Sequence, residues 1–240
     1  MEIPVSSAVT AASKGSLYLV ATPIGNLGDI SARALDTLKK ADCIACEDTR
    51  TTGKLLERFE IKAQLLAYHD HNETQAASQL ADFVESGKQV CLVSDAGMPA
   101  ISDPGFRVVR ECRKRKLPVV PIPGACAAVT ALAASGLPSD AFLFLGFMAP
   151  KKSARLKTFE EHKNAPYSLV FYESTHRILK FMEDAIEVFG EGRYACIARE
   201  MTKLHETFLT DSLGGLLSEL KTRSTKGEFV VIIAKEGFEL

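Results

Sequence analysis

A chain of 240 residues is larger than most single folding units, so we expect two domains of modest size. Hydrophobic residues make up 46% of the chain and charged residues 25%, a composition that predicts a sizeable core and excludes a largely disordered chain. The formal net charge of −1 excludes a protein that is basic as a whole, so a polyanionic partner would have to be held by local basic clusters.

The N-terminal segment is small and polar without a sustained hydrophobic period, which predicts a flexible tail over residues 1–14. No stretch approaches the ~18 consecutive apolar residues of a membrane span. The N-terminus also lacks the charged-then-apolar order of a signal peptide. We therefore expect a cytoplasmic protein with no membrane segment.

The six cysteines are expected to be reduced core thiols, because the chain is too large to need disulfide bonds and several cysteines lie in apolar runs. Cys43 and Cys46 form a C-x-x-C pair, but this pair lies inside a predicted strand and has no second pair of ligands. The sequence therefore predicts neither a redox pair nor a catalytic metal.

From Gly15 onward, short apolar strands alternate with segments of helical length. Strands are predicted at 17–22, 43–46, 90–93 and 118–122, and helices at 30–40, 51–59, 73–86, 104–116 and 125–135. The helix at 104–116 is expected to begin with Asp103 as its N-cap and Pro104 in its first position. This alternation predicts a parallel sheet in a domain that spans residues 15–136.

The residues GlyLeuProSerAsp at 136–140 interrupt the pattern, and a second α/β domain is predicted over 137–240. Its strands are expected at 141–147, 168–172, 194–198 and 228–234, and its helices at 153–163, 176–189 and 213–222. A cleft between two such domains is the default position for a ligand.

The loops after the first four strands are the candidate binding elements, because ligands of open parallel sheets bind beyond the carboxyl ends of the strands. They read ThrProIleGlyAsnLeuGlyAsp at 22–29, GluAspThrArg at 47–50, SerAspAlaGlyMetProAlaIleSerAspProGly at 94–105 and ProGlyAlaCysAlaAla at 123–128. The loop at 22–29 has neither the glycine spacing of a dinucleotide-binding turn nor that of a P-loop. At 47–50, an Asp48 or Thr49 cap on the next helix accounts for the polar residues as well as a binding role does.

Four motifs of the second half accompany these loops: GlyPheMetAlaPro at 146–150, PheTyrGluSerThrHisArg at 171–177, ArgGluMetThrLysLeuHisGlu at 199–206 and LysGlyGluPheVal at 226–230. Together, the eight segments resemble the bacterial small-subunit ribosomal RNA cytidine 2′-O-methyltransferases, a branch of the tetrapyrrole-methylase-like superfamily. The resemblance runs from about residue 15 to residue 234.

The resemblance implies a class III methyltransferase with two α/β domains of the tetrapyrrole methylase-like type, which binds S-adenosylmethionine in the interdomain cleft. It also implies a homodimer, and the RNA of the small ribosomal subunit, rather than DNA, as the partner. The positions implied to contact the cofactor are Pro23, Ser94, Asp95, Ala96, Gly97, Ile101, Ala125 and Tyr172.

Transfer to a ribose 2′-hydroxyl requires in-line positioning and loss of the hydroxyl proton, so polar residues near the cofactor are the catalytic candidates. They are Glu47, Asp48, Arg50, Glu173, His176, Arg177, Arg199, Glu200, Lys203, His205 and Glu228. Our hypothesis is that Arg50, Arg199, Glu200 and Lys203 act around the ribose. Glu200 and Lys203 would share one side of a helical turn if that segment is helical, and a structural ion-pair network is the alternative.

Two basic clusters could contact RNA phosphates, at 110–116 and 151–157, although a solvated helix face explains each of them as well. Many members of the family continue beyond the position of Leu240 with a small extension, and we expect RNA docking without it to depend on such clusters. A methylase of small tetrapyrroles and a non-enzymatic ribosome-assembly factor are the rival functions.

Overall fold

The computed structural model describes residues 15–240, so the tail predicted at 1–14 lies outside the described residues. Contacts divide the chain into two α/β units. The first contains residues 15–23 and Leu27–Ala125, and the second contains Ile24–Asn26 and Cys126–Leu240. The prediction of two α/β domains is confirmed.

The first unit consists of five strands and four helices in strict alternation. Its elements are β1 (Ser16–Val20), α1 (Ala32–Lys39), β2 (Cys43–Cys46), α2 (Thr49–Arg58), β3 (Leu65–Ala67), α3 (Glu73–Glu85), β4 (Gln89–Leu92), α4 (Phe106–Lys114) and β5 (Val119–Ile122). A short 3₁₀ turn, Leu27–Asp29, precedes α1.

All five strands of the first sheet are parallel and lie in the order β3-β2-β4-β1-β5. Because side chains alternate along a strand, β4 supplies both faces: Val90 and Leu92 pack in one core cluster, and Cys91 packs in the other. The first cluster includes α3 and α4, and the second includes α1 and α2. Helices therefore cover both faces, and all carboxyl ends of the strands meet at one edge.

The second unit has the elements α5 (Ala127–Ala134), β6 (Phe142–Phe147), α6 (Lys152–Glu161), β7 (Ser168–Ser174), α7 (Ile178–Phe189), β8 (Tyr194–Arg199), β9 (Thr207–Ser212), α8 (Leu213–Thr222) and β10 (Glu228–Ile233). The sheet order is β6-β7-β10-β8-β9. Only the β6–β7 pair is parallel, so this sheet is mixed. Helix α5, which we expected in the first domain, packs against β7 and β10 of this sheet.

Contacts within the second unit occupy part of the basic cluster at 151–157, so not all of its cations are available to an RNA. Arg155 of α6 is 5% exposed, and its guanidinium donates to the buried carboxylate of Asp184 and to the carbonyls of Ala149 and Pro150. Lys152 pairs with Glu187 at 2.8 Å. Two cations of the 151–157 segment, Lys152 and Arg155, are thus already paired with carboxylates of the protein itself.

The cysteines occupy the positions expected of core thiols. None of the six forms a disulfide, and all but Cys126 are buried. Burial raises the pKa of the thiols of Cys43 and Cys46, which makes their reactive thiolate forms scarce at neutral pH. Among residues 15–240, no helix has the length and apolar content required to cross a membrane.

Candidate functional site

The loop between β4 and α4, residues 93–105, is fastened to the end of β1 at the carboxyl edge of the first sheet. The backbones of Thr22 and Gly97 exchange two hydrogen bonds, of 2.9 and 3.0 Å. The hydroxyl of Thr22 also donates to the carbonyl of Ser94 at 3.1 Å. These contacts hold the first turn of the loop directly beside the residue that precedes Pro23.

The side chain of Ser94 is used within the loop. It is 3% exposed, and its hydroxyl lies 3.2 Å from the carbonyl oxygen of Ala96 and 3.3 Å from that of Gly97. Gly97 has a φ of 82°, which a residue with a Cβ adopts only with strain. Asp95 and Ala96, which lie between Ser94 and Gly97 in the predicted cofactor segment, are exposed at the edge of the sheet.

The loops after β2 and β4 contact each other through Asp95, whose Oδ1 accepts a hydrogen bond from the backbone N–H of Asp48 at 3.1 Å. Asp48 is the N-cap of α2 and accepts from the backbone N–H of Arg50 at 2.8 Å, so the predicted capping role is confirmed. Hydrogen bonds from the Arg50 guanidinium, and with them the one from the Arg50 backbone N–H, hold the pKa of Asp48 below its usual range.

The predicted catalytic residue Arg50 lies in the first turn of α2. Its guanidinium pairs with the Asp48 carboxylate at 2.7 Å, and its side chain is 86% exposed. Its pKa is raised mainly by that hydrogen bond. Arg50 is therefore a permanent, accessible cation beside the loop that Asp95 anchors.

The helix start predicted at Asp103 and Pro104 is wrong. Helix α4 begins at Phe106, and its N-cap is Gly105 with a φ of 152° and no capping side chain. A Cβ at Gly105 would lie 2.8 Å from the Cβ of Ala100, so the loop folds back too tightly for a helix to start earlier. Positive φ values at Ala100 and Ser102 produce this reversal.

Two residues that we did not predict supply the missing cap of α4. The carboxylate of Glu73 accepts hydrogen bonds from the backbone N–H groups of Gly105 and Arg107, both at 3.3 Å. The buried hydroxyl of Tyr68 donates to Glu73 and accepts from the N–H of Val108 at 3.2 Å. The end of the 93–105 loop is thus fixed by residues that lie in and just before α3.

Carboxylates concentrate at this edge, and Asp103 among them is partly shielded from water. Burial raises the pKa of Asp103 to about 6, with a further contribution from Glu47, although a hydrogen bond with Ser94 opposes the rise. Burial and the nearby charge of Asp95 also raise the pKa of Glu47. The edge is therefore electronegative and favours a cationic ligand.

The remaining predicted contacts of the first unit border the same edge. Gly124 follows β5, where a Cβ would lie 2.7 Å from that of Ala21, so the loop packs closely on the end of β1 before it reaches Ala125. Ile101 is 42% exposed within the 93–105 loop. The first unit thus brings together Pro23, Ser94, Asp95, Ala96, Gly97, Ile101 and Ala125 on the loops of one sheet edge.

In the second unit, Glu200 and Lys203 meet in a charged cluster at the end of β8. The ammonium group of Lys203 lies 3.0 Å from Glu200 Oε1 and 2.8 Å from Glu228 Oε2. Glu200 Oε1 also accepts the backbone N–H of Glu228 at 3.0 Å. The segment is a turn rather than the helical turn we considered, since Glu200 and Thr202 have φ values of 51° and 65°.

Two glycines leave room for this cluster. A Cβ at Gly227 would lie 2.6 Å from Cγ of Glu200, and a Cβ at Gly25 would lie 2.5 Å from Cγ of Lys203. The backbone N–H of Asn26 donates to Thr202 Oγ1 at 3.1 Å, which fixes the 24–26 segment against the turn. The loops that carry Gly25 and Gly227 therefore hold the Lys203 side chain in place.

The hydrogen bonds of the cluster determine its charge. The backbone N–H of Glu228, assisted by Lys203, lowers the pKa of Glu200. Burial opposes the charge of Lys203, but hydrogen bonds to Glu228 and Glu200 outweigh burial, and the pKa of Lys203 is raised. At neutral pH, Lys203 is consequently an ammonium group and Glu200 a carboxylate.

The last two predicted residues of the second unit contact backbone groups. Arg199 donates from Nε to the carbonyl of Lys226 at 2.7 Å, which ties the end of β8 to the segment before β10. The hydroxyl of Tyr172 on β7 accepts the N–H of Ala128 at 3.2 Å, and its ring packs edge-on against Phe144 and Phe147. Tyr172 thereby helps to cap the N-terminus of α5.

Next to Tyr172, Glu173 is a buried carboxylate whose side chain is 0% exposed. It pairs with Arg177 at 3.1 Å and accepts the N–H of Ser174 at 2.7 Å. Arg177 in turn donates to the carbonyl of Met148. These two candidates of the 171–177 motif therefore stabilise the loop after β7.

Among the described residues, no group of His, Cys, Asp and Glu side chains is placed to share a metal ion.

Comparisons with known proteins agree with the two-unit α/β fold. Residues 16–217 match the family model "Tetrapyrrole (Corrin/Porphyrin) Methylases". The chain is 50% identical over 223 residues to ribosomal RNA small subunit methyltransferase I of Escherichia coli O157:H7, covering 92% of this chain and 78% of that protein. The protein of the same name from Haemophilus influenzae is 51% identical over 221 residues, with 91% and 78% covered.

Among solved structures, the chain is similar to a diphthine synthase, with a TM-score of 0.74 over 94% of this chain and 92% of the other. The sequence identity is 16%, so this similarity concerns the fold.

Proposed function

We infer the activity from the family of this chain: it belongs to the ribosomal RNA small subunit methyltransferase I family within the tetrapyrrole (corrin/porphyrin) methylases. We propose that it uses S-adenosylmethionine to methylate the ribose 2′-hydroxyl of a cytidine in small-subunit (16S) ribosomal RNA. The observation that carries the proposal is the identity of about half of all residues to relatives with that name, over nearly the whole described chain.

S-adenosylmethionine would supply an activated methyl group on a sulfonium cation. The carboxyl edge of the first sheet fits such a ligand in two respects. Asp95 and Ala96 are exposed there on a loop whose backbone is held by buried hydrogen bonds. The carboxylates of Asp103 and Glu47 favour a positive charge nearby. We assign cofactor contacts to Pro23, Ser94, Asp95, Ala96, Gly97, Ile101 and Ala125 of this edge, and to Tyr172 of the second unit.

We assign the stabilisation of charge in the acceptor to Lys203. The 2′-hydroxyl would release its proton to solvent before its bond to the methyl carbon is complete, so negative charge would build on the oxygen first. The S–CH₃ bond would break as the O–CH₃ bond forms, and the sulfur would keep the electron pair of the broken bond. A fixed ammonium group stabilises that charge without reorganisation during the reaction. Glu200 holds Lys203 in position and keeps it protonated. Arg199 fixes the strand end that carries both residues, and the exposed Arg50 would contact an RNA phosphate.

Several further properties belong to the same proposal. A substrate made of ribosomal RNA implies that the protein works in the cytoplasm, where small subunits assemble. The resemblance of the motifs supports a homodimer. The net charge of −1 supports selective contact with RNA rather than general affinity for nucleic acids, DNA included.

The experiment that tests the assignment is a single-turnover assay with labelled S-adenosylmethionine and small ribosomal subunits that lack the modification. We expect label in the RNA with the wild-type protein, and a rate at least tenfold lower with Lys203→Ala and Glu200→Gln at unchanged cofactor affinity. Lys180→Ala removes an exposed lysine of α7 and is the matched control.

Wild-type rates in both cluster variants would refute the catalytic assignment. Label that enters a porphyrinoid but not the subunit would refute the RNA acceptor.

A further inference from the structure

Helix α4 and its C-terminal end carry an unusual concentration of positive charge. Residues 106–116 contain six Lys and Arg residues and one acidic residue, Glu111, in a chain whose net charge is −1. A local excess of this kind creates a field that the protein as a whole lacks. The excess therefore identifies a surface that can attract an anion.

Not all of these cations are available to a partner. Arg107 pairs with Glu73 at 3.2 Å. Arg115 is engaged by Glu111 at 2.9 Å and by two acidic residues of α3. Arg110, Arg113 and Lys114 differ from these two, because they are exposed and form no ion pair within the part of the chain that the structure describes. Three positive charges of α4 are thus left facing solvent, and Lys116, just beyond the end of the helix, is a fourth.

These side chains share a face with an exposed aromatic ring. The helix packs on the core through Val108 and Cys112, both 0% exposed. Phe106 is 65% exposed in the first turn. Arg110 follows Phe106 by four residues and Arg113 follows by seven, so all three lie along one side of the helix. We call Phe106, Arg110, Arg113 and Lys114 the α4 face.

The α4 face starts where the candidate cofactor loop ends. Phe106 directly follows Gly105, the last residue of the 93–105 loop, and the Glu73 cap fixes this junction. At a rise of ~1.5 Å per residue, Arg110 lies ~6 Å and Lys114 ~12 Å further along the helix. The row of charges therefore extends away from the carboxyl edge over a distance comparable to a few nucleotides.

We propose that the α4 face binds a single-stranded segment of the RNA acceptor beside the methylated nucleotide, with Phe106 stacking on a base and Arg110, Arg113 and Lys114 contacting successive phosphates. An aromatic platform followed by cations is the combination that binds single-stranded nucleic acid. The inference rests on the proposed RNA substrate. It also separates the two basic clusters of the sequence, because Arg155 and Lys152 of the 151–157 cluster already pair with the protein's own carboxylates.

The test compares two triple variants that remove equal charge from opposite faces of the first sheet. One is Arg110→Ala/Arg113→Ala/Lys114→Ala. The control is Arg33→Ala/Lys39→Ala/Lys40→Ala on α1, whose three side chains are also exposed and form no ion pair among the described residues. Binding to unmodified small subunits is measured across a salt series, together with KM, kcat and cofactor affinity.

We expect the α4 triple variant to raise the Kd and KM for subunits by about tenfold or more, at kcat and cofactor affinity close to those of the wild type. The slope of log K against log salt should fall by ~2, because each single-strand phosphate contact contributes ~0.7. Phe106→Ala should raise the same Kd by about fivefold or more without changing the slope.

An α4 triple variant that matches the α1 control in Kd, KM and salt slope would overturn the inference. Failure of the proposed function is distinguished from this result, because it would appear as a wild-type protein that transfers no methyl group to the subunit.

Discussion

Replacement of Glu73 by alanine tests whether this residue holds the candidate cofactor loop in place. The change removes the acceptor of two backbone N–H groups at the start of α4 and of the buried Tyr68 hydroxyl. Loss of a helix cap costs about 0.5–2 kcal/mol. An unsatisfied buried hydroxyl costs about 1–3 kcal/mol more. The ion pair with Arg107, whose own side chain is 53% exposed, adds less than about 1 kcal/mol.

We therefore expect Glu73→Ala to lower the free energy of unfolding of the first unit by about 2–4 kcal/mol. Glu73→Gln should cost less, because the amide oxygen still accepts the backbone hydrogen bonds. Hydrogen exchange at the amides of Gly105, Arg107 and Val108 measures the effect at its origin, and calorimetry measures the accompanying loss of cofactor affinity.

Glu85→Ala is the matched control, since Glu85 belongs to the same helix and its side chain is 61% exposed in an ion pair with Arg115. It should change stability by less than about 1 kcal/mol. Protection of the three amides in Glu73→Ala that equals protection in the wild type would refute the capping role.

Three further predictions concern other parts of the molecule. The pKa of Asp103 in the folded protein, about 6, exceeds its ordinary value, so its contribution favours folding at acidic pH and is lost as pH rises towards 6. In Asp103→Asn, the free energy of unfolding measured in urea should therefore depend less on pH over that range. A pH dependence equal to that of the wild type would show that Asp103 is not its source. Gly25→Ala should displace Lys203 and lower the single-turnover rate about tenfold or more. The control Gly192→Ala, with no atom within 4 Å of the new Cβ, should match the wild type. Equal rates in the two variants would show that the contact of Gly25 with Lys203 is unimportant for the reaction. Arg155→Met should lower the free energy of unfolding of the second unit by about 3–5 kcal/mol in urea, because it leaves the buried carboxylate of Asp184 without its partner. Adding Asp184→Leu should restore much of the loss. A double variant as unstable as the single one would show that the buried charge of Asp184 is not the cause.

The regular elements were predictable where hydrophobic periodicity is strong. The two strands that we missed are both at sheet edges. β3 has three residues, and β9, ThrPheLeuThrAspSer, mixes polar and apolar residues because neither face is fully buried. Local patterns of this kind carry little information, since the neighbouring strand determines whether such a segment pairs.

The predicted start of α4 was wrong for a related reason. Asp103 and Pro104 form a standard helix-start pattern, but the reversal at Gly105 and the cap from Glu73 are tertiary features. No spacing along the sequence links Glu73 to Gly105. The pair Glu200 and Lys203 could be named from the sequence, whereas the contact of Lys203 with Glu228 required the folded sheet.

The most direct test of the central claim is nucleoside analysis of the RNA after reaction of the purified protein with S-adenosylmethionine and unmodified small ribosomal subunits. We predict the appearance of 2′-O-methylated cytidine, formed at a rate at least tenfold lower in Lys203→Ala. A methyl group found only on a base, or an RNA that stays unmodified while the cofactor binds tightly, would contradict the proposed reaction.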